Sequence, residues 1–280
     1  MTRIAATLLD QARRGGYALA ALNAVNLETA EAIVAGAEAE RAPVILQISQ
    51  NAVRYSSLSR LAALGRVLRD EAAVPVVLHF DHAENLASAL RALDEGFDSV
   101  MLEAREGGPH DYERAIRELV EAAHAQGAAV EAELEAVRKG DRASGAHLAP
   151  ATVRAFVDAT GCDAVAIDIG TEHKQTQKSA RLDFGRLRII AESIPQPLVL
   201  HGSSGVSDED LAEAVSGGIA KVNVATALAL AFTGGVRDVL GDADVYDPRD
   251  YLAAARNRMA NEARRYLRVL GASGRADDTR

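Results

Sequence analysis

The stretch VVLHFDHAEN, residues 76–85, carries an apolar run straight into His79, Asp81 and His82 before the chain turns polar. Its first half has the composition of a parallel strand covered on both faces. The carboxylate and imidazoles that follow have two readings. They close the strand and cap the next helix, or they stand on the catalytic rim of a barrel. The rest of the chain decides.

Short apolar, β-prone runs recur along the sequence: YALAALNA (17–24), PVILQIS (43–49), VPVVLHF (74–80), SVMLEA (99–104), AAVEAEL (128–134), AVAIDIG (164–170), PLVLHG (197–202) and AKVNVAT (220–226). These eight runs lie about 25–35 residues apart, the length of a βα unit. Between them, NLETAEAIVAGAEAE and HDYERAIRELVEAAHAQG place apolar residues three and four apart, and the second ends in Gly127, so both predict amphipathic helices. Eight βα repeats close most simply into a (β/α)8 or TIM barrel, an α/β fold of ~250 residues. A doubly wound open sheet would carry a glycine-rich loop after its first strand, and none follows ALNA. No Pro/Ser-rich linker divides the 280 residues. We therefore expect one barrel domain over 1–280, a helical extension from about 247, and a polar, frayed tail from about 271.

Composition narrows the function. Hydrophobic residues make up 48 %, enough for a large core, while aromatics are 4 % and Trp is absent, which leaves little to stack on bases. The net charge of −9 opposes binding to a phosphate backbone, so no nucleic-acid partner is expected. An anionic substrate must then meet a local positive site. The single cysteine, Cys162, excludes an internal disulfide and fits a reducing cytoplasm. No apolar run reaches ~18 residues and the N-terminal stretch lacks a long apolar region, so neither a membrane span nor a signal peptide is expected.

In a barrel the active face is the C-terminal end of the strands. Strand 3 ends there in Asp81 and His82, strand 4 in Glu103 and Arg105, and strand 5 carries Glu131, Glu133 and Glu135. His173 follows strand 6, His201 closes strand 7, and Asn223 and Thr226 close strand 8. Three imidazoles with one open position describe a catalytic zinc site, and His82, His173 and His201 fall at matching ends of separate strands. His79, inside its strand, reads as a core or supporting residue, and His110, His124 and His147 as ordinary hydrogen-bonded ones. HGSSG (201–205) and NVAT (223–226) follow strands 7 and 8, the usual phosphate site of this fold, where small residues and a helix N-terminus receive an anion. Lys221 stands at the start of strand 8, away from the active face, which counts against a Schiff-base mechanism.

GGYALAALNAVNLETA, HFDHAENL, VEAEL, GTEH, LHGSSGV, KVNVAT and DPRDYL run in this order from about Gly15 to about Arg268. As a set they resemble the class II, zinc-dependent ketose-bisphosphate aldolases, most closely the tagatose-bisphosphate and fructose-bisphosphate branch. The resemblance implies Zn2+ on His82, His173 and His201, with Asp81 as acid/base on the substrate hydroxyl. It implies Glu103 and Glu133 as supporting or alternative metal ligands. It implies Gly202, Ser203, Ser204, Asn223, Val224, Ala225 and Thr226 around the phosphate of dihydroxyacetone phosphate. Asn23 would position the substrate, and Ser49 and Arg249 would touch a second phosphate. A monovalent cation, Na+ or K+, near the phosphate and a homo-oligomer, dimer or tetramer, complete what it implies.

Five features depart from that family's pattern: Glu103 and Arg105 on strand 4; Glu135 after EAEL; a shortened following loop whose acidic run is reduced to Asp141; Glu172 and Lys174 beside His173; and Ala227 after Thr226. Lys174 replaces a usual glycine at the rim of the site, and with Arg105 it predicts an altered, more cationic pocket for the aldehyde half, with Lys174 itself a substrate contact. The leading expectation is a cytoplasmic zinc aldolase that reversibly cleaves a ketose 1-phosphate or 1,6-bisphosphate. The alternatives are a zinc barrel hydrolase, using the same histidines to make hydroxide, and a non-catalytic relative that binds a sugar phosphate.

Overall fold

The computed structural model describes residues 3–103, 108–134, 148–171 and 177–279. Its strands are β1 (Leu19–Asn23), β2 (Val44–Ser49), β3 (Val76–Ala83), β4 (Ser99–Leu102), β5 (Ala129–Glu133), β6 (Ala164–Ala166), β7 (Leu198–Leu200) and β8 (Ile219–Val224). All pair in parallel in chain order, and β8 pairs back onto β1 with Leu22 opposite Val224, which closes the barrel. That closure removes the doubly wound alternative.

The strands follow the apolar runs because both of their faces are covered, by neighbouring interior side chains and by the helical layer. The run at 164–170 gives only a short β6, although Ile167 N still donates to Val199 O at 3.2 Å. In contrast, β3 extends past the apolar run. Its ladder with β2 continues to Ser49 opposite Asp81, while its ladder with β4 shifts register between Phe80 and Ala83. At this bulge His82 adopts φ 57°, a left-handed conformation that costs a non-glycine residue about 1–2 kcal/mol. A bulge breaks the strict two-residue alternation and re-aims a side chain, and it does so here at His82.

The helices are α1 (Ile4–Gly15), α2 (Leu27–Glu40), α3 (Gln50–Tyr55), α4 (Leu58–Glu71), α5 (Leu86–Asp94), α6 (Pro109–Gln126), α7 (Pro150–Thr160), α8 (Phe184–Ser193), α9 (Asp208–Ser216), α10 (Thr226–Leu240) and α11 (Pro248–Val269). Local chemistry sets their ends. Asn26 and Thr29 form a reciprocal cap at the start of α2, and Gly127 ends α6 at φ 79°. Helix α11 packs across α10 and α2. At Gly235 the contact between α10 and α11 is so close that an added Cβ would lie 2.6 Å from Ala255 Cα.

The tail departs from expectation. Instead of fraying, it folds back on the end of α2: Gly274 N donates to Glu40 O at 2.9 Å and Ala276 N to Arg41 O at 3.0 Å. The Glu40 side chain accepts from Arg264 Nε at 2.8 Å and from Ser273 Oγ at 3.0 Å. The tail's polar composition suggested solvent, but its backbone donors find the carbonyls left over at a helix C-terminus.

Candidate active site

At the C-terminal mouth of the barrel lies a cavity of about 300 Å3, lined by residues from the ends of β1, β2, β3 and β8, by Glu103 beyond β4, and by the turn after β7. The interior layer beneath the mouth is polar. Asn23, Gln47, His79 and Ser99 are successive register partners on β1 to β4. They join in pairs: Gln47 Nε2 donates to Asn23 Oδ1 at 2.9 Å, and His79 Nδ1 lies 2.9 Å from Ser99 Oγ.

Asp81 is 4 % exposed and lines the cavity floor. Its Oδ1 accepts a long hydrogen bond from Asn223 Nδ2, 3.5 Å, and its Oδ2 lies 3.7 Å from His82 Nε2. Burial alone would raise its pKa, but the surrounding His82, His201, Lys221 and His79 outweigh it and hold the carboxyl below its ordinary value. A buried carboxylate kept ionised, with only a long hydrogen bond from Asn223 Nδ2 among the described residues, can accept a proton from a ligand.

His82 and His201 stand edge to face with ring centroids 5.3 Å apart. Two carboxylates adjoin them: Glu103 Oε2 is 3.7 Å from His82 Nδ1, and Glu133 Oε1 is 4.0 Å from His201 Nδ1. Tyr112 on α6 fixes the strand ends that carry both, since its hydroxyl donates to Leu102 O at 2.9 Å and accepts from Glu133 N at 3.0 Å. Glu133 Oε2 is buried without a hydrogen-bond partner among the described residues. Two imidazoles stand beside two carboxylates, one of them with an orphaned buried oxygen; these are donor types that Zn2+ takes, while among the described residues no group of three or more such side chains is placed to hold a metal ion. The third expected ligand, His173, lies outside the described residues, as do Lys174, Glu172, Arg105, Glu135, Asp141 and His147.

Below this pair is a buried charge network. Glu131 on β5 accepts from Lys221 Nζ on β8 at 2.7 Å, and its other oxygen lies 2.9 Å from His201 Nε2. Burial would raise the Glu131 pKa, but Lys221 and His201 overcome it and the carboxyl stays well below its usual range. For His201, burial favours the neutral ring, yet the hydrogen bond and charge of Glu131 raise its pKa overall. His79, 4.0 Å from Glu131, is pushed down to about 3 by burial and by Lys221, so its ring is neutral.

The loop on this side of the mouth is assembled from two segments. Gly202 takes φ 68°, which only glycine adopts readily, and leads into the tight turn Ser203–Gly205. Ser203 Oγ donates to Asn223 O at 2.5 Å and Ser204 Oγ accepts from Ala227 N at 3.2 Å, tying the β7 turn to the β8 turn. Helix α10 begins at Thr226 with no side-chain cap from Ala225. An uncapped helix N-terminus facing a cavity is a ready anion site. Gly202, Ser203, Ser204, Asn223, Ala225 and Thr226 all line it.

Asn23 and Ser49 also line the cavity, though Ser49 Oγ is engaged in capping α3 through Ala52 N at 3.3 Å. Val224 is fully buried and does not line it. Arg249 stands apart from the other expected contacts within this chain. It is outside the cavity, its side chain 88 % exposed, with Nε 3.0 Å from Asp247 Oδ1. It sits in the first turn of α11, where the carboxylate that caps the helix is its nearest partner. Gln47, Gln50 and Asn51 line the cavity unforeseen. Gln47 was visible in principle, as the one polar residue inside the run VILQI. In the sequence Glu131 is one of three glutamates on its strand and Lys221 stands at the start of its own, away from the rim, so neither marks the site.

Comparison with known proteins gives consistent results. The sequence model of the family described as fructose-bisphosphate aldolase class-II matches residues 4–275. A fructose-bisphosphate aldolase of Thermus caldophilus is 38 % identical, covering 96 % of this chain and 98 % of the relative. One from Geobacillus stearothermophilus is 36 % identical, covering 96 % of each. Among solved structures, the YdjI aldolase of Escherichia coli K12 superposes with a TM-score of 0.85 at 28 % identity, covering 97 % of this chain and 98 % of that one.

Proposed function

This chain belongs to the class-II fructose-bisphosphate aldolase family, and on that premise we propose that it is a zinc-dependent aldehyde-lyase acting on phosphorylated ketoses. It reversibly cleaves a ketose 1-phosphate or 1,6-bisphosphate, of the fructose- or tagatose-bisphosphate kind, to dihydroxyacetone phosphate and an aldehyde. The observation that carries this reading is the placement of Asp81 on the floor of the same cavity that Gly202, Ser203 and the start of α10 line. A base and a phosphate grip in one cavity suit a substrate that carries both a hydroxyl and a phosphate.

Retro-aldol cleavage takes a proton from the hydroxyl of the carbon that becomes the aldehyde and leaves an electron pair on the carbon beside the ketone. Asp81 accepts that proton and, in the condensing direction, returns it. The turn 202–204 and the N-terminus of α10 hold the phosphate of the dihydroxyacetone half and so fix the ketone relative to Asp81. Asn23, oriented by Gln47, positions the substrate, with Asn223 beside Asp81. His82, His173 and His201 would hold Zn2+, with Glu103 and Glu133 as supporting or alternative ligands. The ion, when bound, supplies a Lewis acid for the ketone oxygen. Ser49 lines the cavity where the remaining part of the substrate would lie, and Lys174, outside the described residues, is proposed as a further substrate contact on the sequence alone. A monovalent cation, Na+ or K+, near the phosphate, a single barrel domain, a homodimer or homotetramer and a cytoplasmic location belong to the same proposal. Among the described residues, no helix is long and apolar enough to cross a membrane.

The test is release of dihydroxyacetone phosphate from a panel of ketose phosphates, followed through a coupled reductase before and after a chelator and again after zinc is restored. Release that stops with the chelator and returns with zinc is the expected result. Zinc-loaded protein that liberates no dihydroxyacetone phosphate from any member of the panel would sink the proposal.

A further inference from the structure

The barrel interior contains a lysine with no part in the chemistry just described. Lys221 is 1 % exposed and does not line the cavity, so it is out of reach of a substrate. Its ammonium is 2.7 Å from one oxygen of Glu131, which is itself 2 % exposed, and the other oxygen of Glu131 is 2.9 Å from His201 Nε2. One carboxylate thus joins β8 to the imidazole beyond β7. Isolated buried ion pairs contribute little stability relative to apolar side chains of the same shape, so stability alone does not account for this one.

We propose that Lys221 is a positioning residue for His201, acting through Glu131 to fix which ring nitrogen carries the proton. An ionised carboxylate only accepts hydrogen bonds. With Oε2 held by Lys221, Oε1 stays turned toward His201, whose Nε2 must then carry the hydrogen. The lone pair is left on Nδ1, on the side of Glu133, 4.0 Å away. Without the ammonium, the carboxyl would be free to rotate away from Nε2, and the ring would no longer be held to one tautomer. A charged partner behind a ligating imidazole also raises its basicity, and losing such partners typically weakens metal affinity 10–100-fold. The inference rests on His201 being a zinc ligand, and the experiment separates the two ideas.

The test compares the parent with Lys221→Met and with the double variant Glu131→Gln/Lys221→Met, which retains the shape of the pair without its charges. Zinc affinity is measured by competition with a chromogenic chelator. The tautomer of His201 is read from ring 15N shifts in zinc-free protein, at a pH where the imidazole is neutral, and assigned by difference from His201→Gln. We expect a pure Nε2–H tautomer in the parent, a mixed one in the variants, and zinc affinity lower by on the order of 10–100-fold. A folded variant with parental affinity and a pure Nε2–H tautomer overturns the inference. So does an Nδ1–H tautomer in the parent, which needs no variant to fold. A parent that shows the Nε2–H form, lost in the variants, but binds no zinc supports the relay and refutes the ligand assignment.

Discussion

Asp81→Asn exchanges one carboxylate oxygen for an amide nitrogen and leaves the shape of the side chain unchanged. The structure separates its effect on catalysis from its effect on folding. The only described hydrogen bond to the carboxylate is the 3.5 Å contact from Asn223 Nδ2, and an amide oxygen can accept that equally well. A contact of that length is weak, so its change costs less than about 1 kcal/mol, and the thermal melt reports separately the lost attraction of His82, His201, Lys221 and His79 for the charge. The catalytic loss is of another order. An amide cannot take a proton from the substrate hydroxyl, and a positioned general base is worth about 10^2–10^4 in rate. At 1.36 kcal/mol per decade this adds roughly 2.7–5.4 kcal/mol to the barrier. His82 and His201 are untouched, so zinc content by elemental analysis should match the parent. The assay is dihydroxyacetone phosphate release at saturating ketose phosphate, with a thermal melt and zinc content on the same preparation. Activity within a few-fold of the parent would refute Asp81 as the base. Loss of zinc together with activity would make it a metal ligand instead.

Two further outcomes follow from the packing. Gly235→Ala places a Cβ 2.6 Å from Ala255 Cα and 2.9 Å from Ala254 O, backbone atoms that cannot rotate away, so α10 and α11 must separate; overpacking of about 1–3 kcal/mol outweighs the ~1 kcal/mol gained in helix propensity, and a melting temperature equal to or above the parent's would show that the helices are not so closely joined. For Glu40, burial raises the pKa but Arg264, Ser273 and Arg268 more than compensate and lower it overall. Its contribution to holding the tail is therefore present above the ordinary glutamate range and lost only as pH falls through the depressed folded value. Amide exchange at Gly274 and Ala276 should stay slow at neutral pH and quicken in acid, and should be fast already at neutral pH in Glu40→Gln; unchanged protection in that variant would show that the side chain does not hold the tail.

The sequence by itself determined the repeat and the rim. Apolar runs spaced as βα units, the helix ends at Asn26 and Gly127, and the polar residues closing each run are local features, set by side-chain composition and backbone preference. Asp81, His82, His201 and the turn at Gly202 were legible because strand ends in a closed parallel barrel all emerge on one face. What the tertiary structure decided depends on which strands meet across the interior. Lys221 and Glu131 are 90 residues apart in sequence, and nothing in either strand announces that barrel closure brings the ammonium beneath His201. The bulge in β3 is a mismatch between its two neighbouring ladders, so the left-handed turn at His82 could not be read from HFDHA alone. Arg249 and the tail went the other way. Within this chain Arg249 meets the capping Asp247 rather than the cavity, and the polar tail suggested solvent until the end of α2 supplied its hydrogen-bond acceptors. In each case short-range pattern specified which groups were available, and long-range packing decided which of them met.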